Sequence, residues 1–150
     1  MRVRDIMKKD VYTIQPEATL KEAVVMLLKY QVSGLIVVDQ NKQVVGVISE
    51  KDIYRVIYPS YNDFYNSPEL FTDFKKQEEE VKHKSNIQVK EIMTAKVIAA
   101  DPDEYVMKVG GIMLAKNISR LPVINKQGKL VGVVSRGSIY HNLFRKKLNL

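Results

Sequence analysis

The sequence of 150 residues contains no cysteine and only two histidines. The absence of cysteine excludes disulfide bonds, a thiol nucleophile and thiolate metal ligands, and it fits a reducing compartment. His83 and His141 lack the spacing of metal ligands, so we expect no metal site. No apolar run approaches the roughly 20 residues that span a bilayer, and the N-terminus lacks the apolar core of a signal peptide. We therefore expect a cytoplasmic protein with no membrane partner.

What the sequence does contain is a tandem repeat. The segment Val3–Met7 returns as Val89–Met93, and a shift of 86 positions then holds without a gap to the end of the unit. Two copies of a unit of about 50 residues indicate a pseudo-two-fold protein. We expect its ligand to lie in a cleft between the copies, with two related clefts.

The residue pattern of each copy predicts the order β-α-β-β-α. The predicted fold class is therefore α/β (α+β), with two tandem repeats packed with pseudo-two-fold symmetry. The first strand of each copy ends at a proline, Pro16 or Pro102, and an amphipathic helix follows. Two short β-branched strands then form a hairpin, and a last helix begins at Glu50 or Arg136. The predicted domains are repeat 1 over residues 1–58, an inserted and partly helical linker over 59–86, and repeat 2 over 87–150.

The linker is polar, with a helix start at Ser67 and a solvated, charged helix from Lys75 to Lys84. Seven of the chain's 12 aromatic residues lie in or beside it. Packing of these rings onto their own domain is the favoured interpretation, and a partner surface is the alternative. The seven are Tyr54, Tyr58, Tyr61, Phe64, Tyr65, Phe71 and Phe74.

Two helices carry signs of self-association. Gly110-Gly111 weakens its helix by about 1 kcal/mol per glycine relative to alanine, and such glycines usually let another helix approach closely. The first helix of copy one presents Val24, Val25 and Leu28 on an apolar face. We expect a homodimer.

The net charge of +7 is unevenly distributed. Residues 89–150 carry 11 basic and 4 acidic side chains, which accounts for all of it. This asymmetry favours an anionic partner, either a polyphosphate ligand or nucleic acid. We favour the small ligand. The alternatives are a nucleic-acid-binding protein that uses the basic second repeat, and a ligand-free dimerisation module.

The junction between the hairpin and the last helix carries the candidate site. In copy one it offers free backbone N–H groups and the Ser49 hydroxyl to an anion, and Gly46 lets a ligand approach the backbone. Asp52 can offer a carboxylate to a vicinal diol. Ser-x-x-Asp at a helix start is also a capping box, which is the alternative interpretation. The tandem copying favours binding.

Copy two differs from copy one at three positions in or near this junction. Arg120 begins a strand where copy one has Gly34, and a phosphate could fit beside it. Arg136 begins a helix, where a cation opposes the helix dipole unless an anion lies nearby. Ser138 replaces Asp52, and its neutral hydroxyl should hold a ribose more weakly. We therefore expect two unequal clefts.

Together these motifs resemble a pair of CBS (cystathionine β-synthase-type) domains, a Bateman module, over about residues 1–54 and 87–147. The signals are the V-x-D-I-M opening, the x-I-x-P strand end, S-x-L-P-V and the G-h-h-S-x-x-D junction, in this order and doubled. The resemblance implies a stand-alone regulatory module rather than an enzyme, with no cofactor. It implies an adenine nucleotide or adenosyl ligand (AMP, ADP, ATP or S-adenosylmethionine) and makes a regulated protein a candidate partner.

The resemblance also assigns roles to residues. The junction serine and Arg120 would contact phosphate, Asp52 the ribose hydroxyls, and the strand before the first helix would flank the base. No residue is expected to be catalytic. The expected ligand-binding residues are Thr13, Ile14, Pro16, Ser33, Gly46, Ser49, Asp52, Ala99, Ala100, Pro102, Ser119, Arg120, Ser135, Arg136 and Ser138.

Overall fold

The computed structural model describes residues 1–58, 65–66, 68–71 and 73–150, and it is mixed α/β as predicted. The strands are β1 (Thr13–Ile14), β2 (Gly34–Val38), β3 (Val44–Ser49), β4 (Arg120–Ile124) and β5 (Leu130–Ser135). The α-helices are α1 (Leu20–Tyr30), α2 (Glu50–Ile57), α3 (Phe74–His83), α4 (Val89–Ile92), α5 (Val106–Ala115) and α6 (Arg136–Leu148). Short 3₁₀ helices cover Val3–Asp5 and Pro68–Phe71. In the described part of the chain, no helix is both long and apolar enough to cross a membrane.

The chain divides into two compact units, and each unit combines parts of both sequence repeats. Unit 1 contains residues 1–12, 41–44 and 96–150, and unit 2 contains residues 13–40 and 45–95. Unit 1 therefore joins the opening segment of repeat 1 to the body of repeat 2, and unit 2 does the reverse. The predicted boundaries near 58 and 87 mark the sequence repeats, whereas the folded units exchange their opening segments.

The same backbone contact attaches each opening segment. In unit 1, the N–H of Lys8 donates to the carbonyl of Val133, and the N–H of Val133 donates back, both at 2.9 Å. In unit 2, Thr94 and Val47 form the equivalent pair at 2.9 and 3.0 Å. Each opening segment thus adds a short antiparallel bridge to the second strand of a hairpin.

A methionine and a glycine of the repeated motifs meet at this bridge. In unit 1, a Cβ added to Gly132 would lie 2.8 Å from the sulfur of Met7 and 2.9 Å from the carbonyl oxygen of Lys8. In unit 2, a Cβ on Gly46 would lie 2.5 Å from the sulfur of Met93. The backbone contact with Lys8 requires a glycine at position 132, whereas a methyl group at position 46 would fit only if the end of the Met93 side chain moved.

Each unit has its own apolar core, in which helices cover the hairpin. The core of unit 1 consists of Val3, Ile6, Ala100, Val106, Val109, Met113, Leu121, Val123, Val134 and Ile139. The buried apolar residues of unit 2 are Ile14, Leu20, Ala23, Leu27, Leu35, Ile36, Val37, Ile48, Ile53 and Val89. Val3 and Val89 are fully buried, so the opening segments belong to the cores and not to the surface.

The first strand of copy two is shorter than predicted. β1 pairs in parallel with β2 through two residues, but the equivalent segment of copy two forms only the isolated bridge between Ala100 and Val123. Ala100 donates to the carbonyl of Pro122 and accepts from the N–H of Ile124, both at 2.9 Å. To extend this parallel pairing toward the N-terminus, residue 122 would have to donate its backbone N–H, and proline has none. The prediction of a full strand ending at Pro102 was therefore wrong.

Gly110 and Gly111 do not bring α5 unusually close to another helix of unit 1. A Cβ on Gly110 would lie 3.7 Å from Ile139 of α6, an ordinary contact. Around Gly111, no atom of the described residues lies within 4 Å of such a Cβ apart from its chain neighbours and the backbone of its own helix. Within unit 1 the expected close approach is absent at these two positions, and Gly111 faces open space in the described structure.

The linker forms the predicted charged helix α3, which buries none of its residues. The prediction that the aromatic cluster packs onto its own domain was wrong for the four rings whose environment is described. Tyr54, Tyr58, Tyr65 and Phe74 are all more than half exposed. The ring centroids of Tyr54 and Tyr58 lie 5.9 Å apart on the solvent side of α2, because residues four apart share a helix face. Ser67, Tyr61, Phe64 and the side chain of Phe71 lie outside the described residues.

Glu104, which precedes α5, carries an ion pair that lowers its pKa. Its carboxylate accepts from the Lys108 ammonium at 2.6 Å and from the N–H of Asp101 at 3.0 Å. The hydrogen bond from Lys108, assisted by that from Asp101, holds the pKa of the Glu104 carboxyl below its usual 4.5. A carboxyl whose pKa is lower in the folded state stabilises the fold above pH 4.5 and loses that contribution as the pH falls through the lowered value.

We expect Glu104→Gln to reduce stability slightly at neutral pH and to flatten the loss of stability on acidification. The effect should stay below about 1 kcal/mol because Lys108 is largely exposed, and water screens such pairs. Urea denaturation at pH 7 and near pH 4 would measure it. A difference between variant and parent that is the same at both pH values would contradict this assignment.

Candidate functional site

In unit 2, the candidate site lies where β3 ends at Ser49 and α2 begins at Glu50. The N–H of Glu50 donates to the carbonyl of Ser33 at 3.0 Å, which holds the end of β3 beside the start of β2. The N–H of Ser49 donates to the carboxylate of Asp52 at 2.9 Å. The expectation of free N–H groups at this turn was therefore wrong for these two positions, since the fold itself needs them to join β2, β3 and α2.

Asp52 is the only charged residue that is buried in the described part of the chain. Its Oδ2 accepts from the N–H of Ser49 and, at 3.1 Å, from the Ser49 hydroxyl. Its other oxygen, Oδ1, lies 3.8 Å from the guanidinium of Arg55. The carboxylate thus caps α2 with one oxygen and directs the other toward an exposed cation. The capping interpretation is confirmed for Oδ2, and Oδ1 is the oxygen that a further donor could use.

Gly46 does not present a bare backbone to a ligand on the side where its side chain would lie. Besides the Met93 sulfur, the carbonyl oxygen of Thr94 lies 3.2 Å from the position of a Cβ. The sequence-based reason for placing Gly46 in the site was therefore wrong. The glycine admits the opening segment of repeat 2.

The strand before α1 contributes residues of mixed exposure. Thr13 is exposed and pairs with Ile36 across β1 and β2, while Ile14 is buried in the core. The carbonyl of Pro16 accepts from the N–H of Lys90 at 2.9 Å. The order β1-β2-β3 places the exposed Thr13 in the same sheet as the Ser49 turn.

Unit 1 repeats this turn with a different chemistry. The N–H of Arg136 donates to the carbonyl of Ser119 at 3.0 Å, as Glu50 does to Ser33. The hydroxyl of Ser138 accepts from the N–H of Ser135 at 3.0 Å and donates to the carbonyl of Ser135 at 2.8 Å. The N–H of Ser138 donates to the Ser135 hydroxyl at 3.1 Å. The turn therefore closes on itself, and the one proton of the Ser138 hydroxyl is already used.

Arg120 lies in unit 1, where it is the cross-strand partner of Ser135. Directly opposed residues of an antiparallel pair point to the same face of the sheet. The structure thus brings Arg120 to Ser135, whereas Ser49 and Asp52 belong to unit 2. The predicted base-flanking segment of copy two also lies in unit 1. Its Ala99 is exposed and its Ala100 is buried. The carbonyl of Pro102 accepts from the N–H of Arg4 at 3.0 Å.

The sequence interpretation missed Arg55, Met93 and Thr94. Arg55 follows Asp52 by three positions on a predicted helix, a spacing that places both side chains on one face and could have identified it. Met93 and Thr94 are distant from Gly46 in the sequence, and only the antiparallel bridge of Thr94 with Val47 brings them there.

Comparisons with known proteins identify the family of this chain. The family model described as CBS domain matches residues 3–59 and 89–145. The chain belongs to the CBS domain family. It is similar to the uncharacterized protein MJ1426 of Methanocaldococcus jannaschii, with 34% identity over 95% of this chain and 91% of the relative. The two matched segments confirm a tandem CBS pair, as the repeat predicted.

Solved CBS structures share the fold. The CBS domain pair of protein MJ0100, solved in complex with 5′-methylthioadenosine and S-adenosyl-L-methionine, is 27% identical, with a TM-score of 0.74 over 97% of this chain and 98% of that one. CBSX2 in complex with AMP is 23% identical, with a TM-score of 0.72 over 97% and 98% of the two chains. The likeness to CBSX2 supports the fold alone.

Proposed function

We propose that this CBS pair is a regulatory module that binds an adenine nucleotide or a related adenosyl ligand and does not catalyse a reaction. The observation that carries the proposal is the buried carboxylate of Asp52, held at a strand-to-helix turn with Oδ1 directed away from its cap. The adenosyl ligands bound by the CBS pair of MJ0100 support the same class of ligand.

Asp52 suits a ribose diol for electrostatic reasons. Hydrogen bonds to a charged group contribute about 1.5–3 kcal/mol each, more than those between neutral groups. The Ser49 donors fix the orientation of the carboxylate, so a diol would meet an acceptor that loses little freedom on binding. Arg55 adds positive charge nearby, which suits the phosphate or carboxylate of an adenosyl ligand.

The corresponding turn in unit 1 suits a phosphate better than a diol. Ser138 is neutral and bonded within its turn. Arg120 opposes Ser135, and Arg136 begins α6 with its side chain exposed. Cations at this position favour an anion, and nothing there replaces the carboxylate of Asp52. The two units therefore differ in which part of a nucleotide they attract.

A thermal-shift panel tests the proposal, with AMP, ADP, ATP and S-adenosylmethionine as ligands. A ligand present at 100 times its dissociation constant stabilises the folded state by about 2.7 kcal/mol, so the melting temperature should rise by several degrees. The 2′-deoxy form of the best ligand is the matched control, because it lacks one hydroxyl of the diol, and its shift should be smaller. If no adenosyl ligand shifts the melting temperature, the proposed ligand class is contradicted. If the ribose and deoxyribose forms give equal shifts, the proposed role of Asp52 is contradicted.

Nucleic-acid binding is the second candidate, because unit 1 has 15 basic and 5 acidic residues. Binding to several phosphates releases counterions, so such a complex would weaken steeply as salt is raised. A tight, strongly salt-dependent complex with RNA or DNA, together with no adenosyl shift, would favour this function over the one proposed.

A further inference from the structure

A crevice of about 320 Å³ separates the end of α2 from α3. One wall is apolar and consists of Val56 and Ile57, which are half-buried, and of Tyr58. Both helices belong to unit 2, and the crevice lies at the opposite end of α2 from the Asp52 turn. Small-molecule sites in proteins have volumes of about 300–1,000 Å³ and mostly apolar walls. The crevice therefore has the size of a site for one small ligand.

The other wall is the face that α3 turns toward α2, and this face is charged. Lys76, Glu80 and Lys84 follow one another at intervals of four residues, so their side chains share one side of the helix. The ion pair that α3 forms joins Lys82 to Glu79 at 3.7 Å, outside this face. None of the three crevice charges forms an ion pair with a described residue. A carboxylate and two ammonium groups thus lie beside an apolar wall.

The orientation of α3 is the reverse of that of an ordinary surface helix. A helix that packs only to stabilise a fold turns its apolar residues toward its domain. α3 instead turns charged residues toward α2, leaves Phe74 and Val81 exposed, and buries none of its residues. It also lies between the segments that the CBS family model matches, 3–59 and 89–145. The charged face therefore belongs to this chain's own insertion, and the packing of a core does not account for it.

We propose that the crevice binds a small zwitterion with an apolar side chain, an α-amino acid of the leucine, methionine or phenylalanine type. In such a ligand the ammonium and carboxylate groups are attached to the same carbon. Glu80 lies one helical turn from Lys76 and one from Lys84, so neighbouring opposite charges on α3 meet both groups of the ligand. The apolar side chain of the ligand covers Val56 and Ile57.

The charges of the crevice disfavour ligands of a single sign. An anion would meet the carboxylates of Asp73 and Glu80, and a cation would meet the ammonium groups of Lys76 and Lys84. Juxtaposed like charges select against such partners. A neutral apolar molecule would cover charged groups without replacing their hydrogen bonds to water, which is unfavourable. A zwitterion with an apolar side chain matches both signs and the apolar wall.

Titration of the isotope-labelled full chain with L-leucine, L-methionine and L-phenylalanine tests the proposal. Saturable shifts of backbone amide NMR signals should appear at residues 56–58 and 76–84. We expect a dissociation constant of about 1 mM or below for the best of the three, in the range of small ligands. N-acetyl-L-leucine lacks the ammonium group, L-leucine amide lacks the carboxylate, and glycine lacks the side chain. Each of these matched ligands should bind about tenfold more weakly than leucine.

Glu80→Gln removes the carboxylate that holds the ammonium group of the ligand, and it should weaken binding by about tenfold. Glu78→Gln is the matched control, because it makes the same change on α3 at a position outside the crevice. Neither residue is buried, so both variants should fold, which circular dichroism checks.

The proposal fails if none of the three amino acids binds saturably up to about 20 mM. It also fails if leucine binds no better than its acetylated or amidated form, if the two glutamine variants lose affinity equally, or if the shifted signals lie outside the crevice. The proposal does not rest on the adenosyl ligand, because a failed thermal-shift panel leaves this titration unchanged. Asp52→Ala, at the other end of α2, should bind the amino acid as the parent chain does.

Discussion

Gly132→Ala is expected to destabilise the protein by about 1–3 kcal/mol, the usual effect of overpacking a tight contact. The added methyl group would lie 2.9 Å from the carbonyl oxygen of Lys8. Because that oxygen accepts the N–H of Val133, the methyl group cannot be accommodated without moving the bridge that attaches the opening segment. Thermal or urea denaturation followed by circular dichroism would measure a fall of several degrees in melting temperature.

Gly110→Ala is the matched control for this experiment. Its methyl group would meet Ile139 at an ordinary 3.7 Å, and alanine favours a helix over glycine by about 0.5–1 kcal/mol. The two substitutions should therefore change stability in opposite directions. Gly46→Ala should fall between them, since the nearest atom is the flexible end of Met93 and the backbone oxygen of Thr94 is 3.2 Å away. A Gly132→Ala variant as stable as the parent would contradict the close attachment of residues 1–12 to unit 1.

Asp52→Ala is expected to weaken adenosyl-ligand binding by about tenfold or more, because each hydrogen bond to a charged acceptor contributes about 1.5–3 kcal/mol and 1.4 kcal/mol is a factor of ten. Asp52→Asn keeps an oxygen for the N–H of Ser49 but removes the charge, so its loss should be smaller. Titration calorimetry with the best ligand of the thermal-shift panel would measure both.

Ser138→Ala controls for effects on folding rather than binding. Asp52 and Ser138 both accept the N–H of the residue that begins their turn, so either alanine variant removes a cap, at a cost of about 0.5–2 kcal/mol of stability. Only Asp52→Ala should also lose affinity. Equal loss in the two variants would place the ligand elsewhere or distribute it over both units, and it would contradict the unequal roles assigned to them.

The residue pattern was sufficient to predict most of the helices and strands and to identify the family. Helical spacing located α1 and α5, and the β-branched runs located the two hairpins, because burying one face of each element requires those periods. The predicted first strand of copy two does not form because of Pro122. Proline is acceptable within β4 itself, but it offers no N–H to the segment before Pro102 that should pair with β4. The loss of the strand therefore becomes visible only when the two segments are placed side by side.

The site could be predicted only in its residue types. Serine three positions before Asp52 identified the turn, and the structure determined how its donors and acceptors are shared. Side-chain geometry within 4 Å determines that Oδ2 of Asp52 accepts the Ser49 hydroxyl. The same geometry places Oδ1 toward Arg55.

By itself the sequence determined that two copies of one β-α-β-β-α unit are present, that a carboxylate occurs in only one of the two equivalent turns, and that the basic residues gather in the second copy. These follow from local spacing and from residue identity. Only the tertiary structure decided that the copies exchange their opening segments, so that Met7 packs on Gly132 and Met93 on Gly46. The physical reason is that a short β segment has no local preference between two nearly identical hairpin edges, and its partner is chosen by the path of the whole chain.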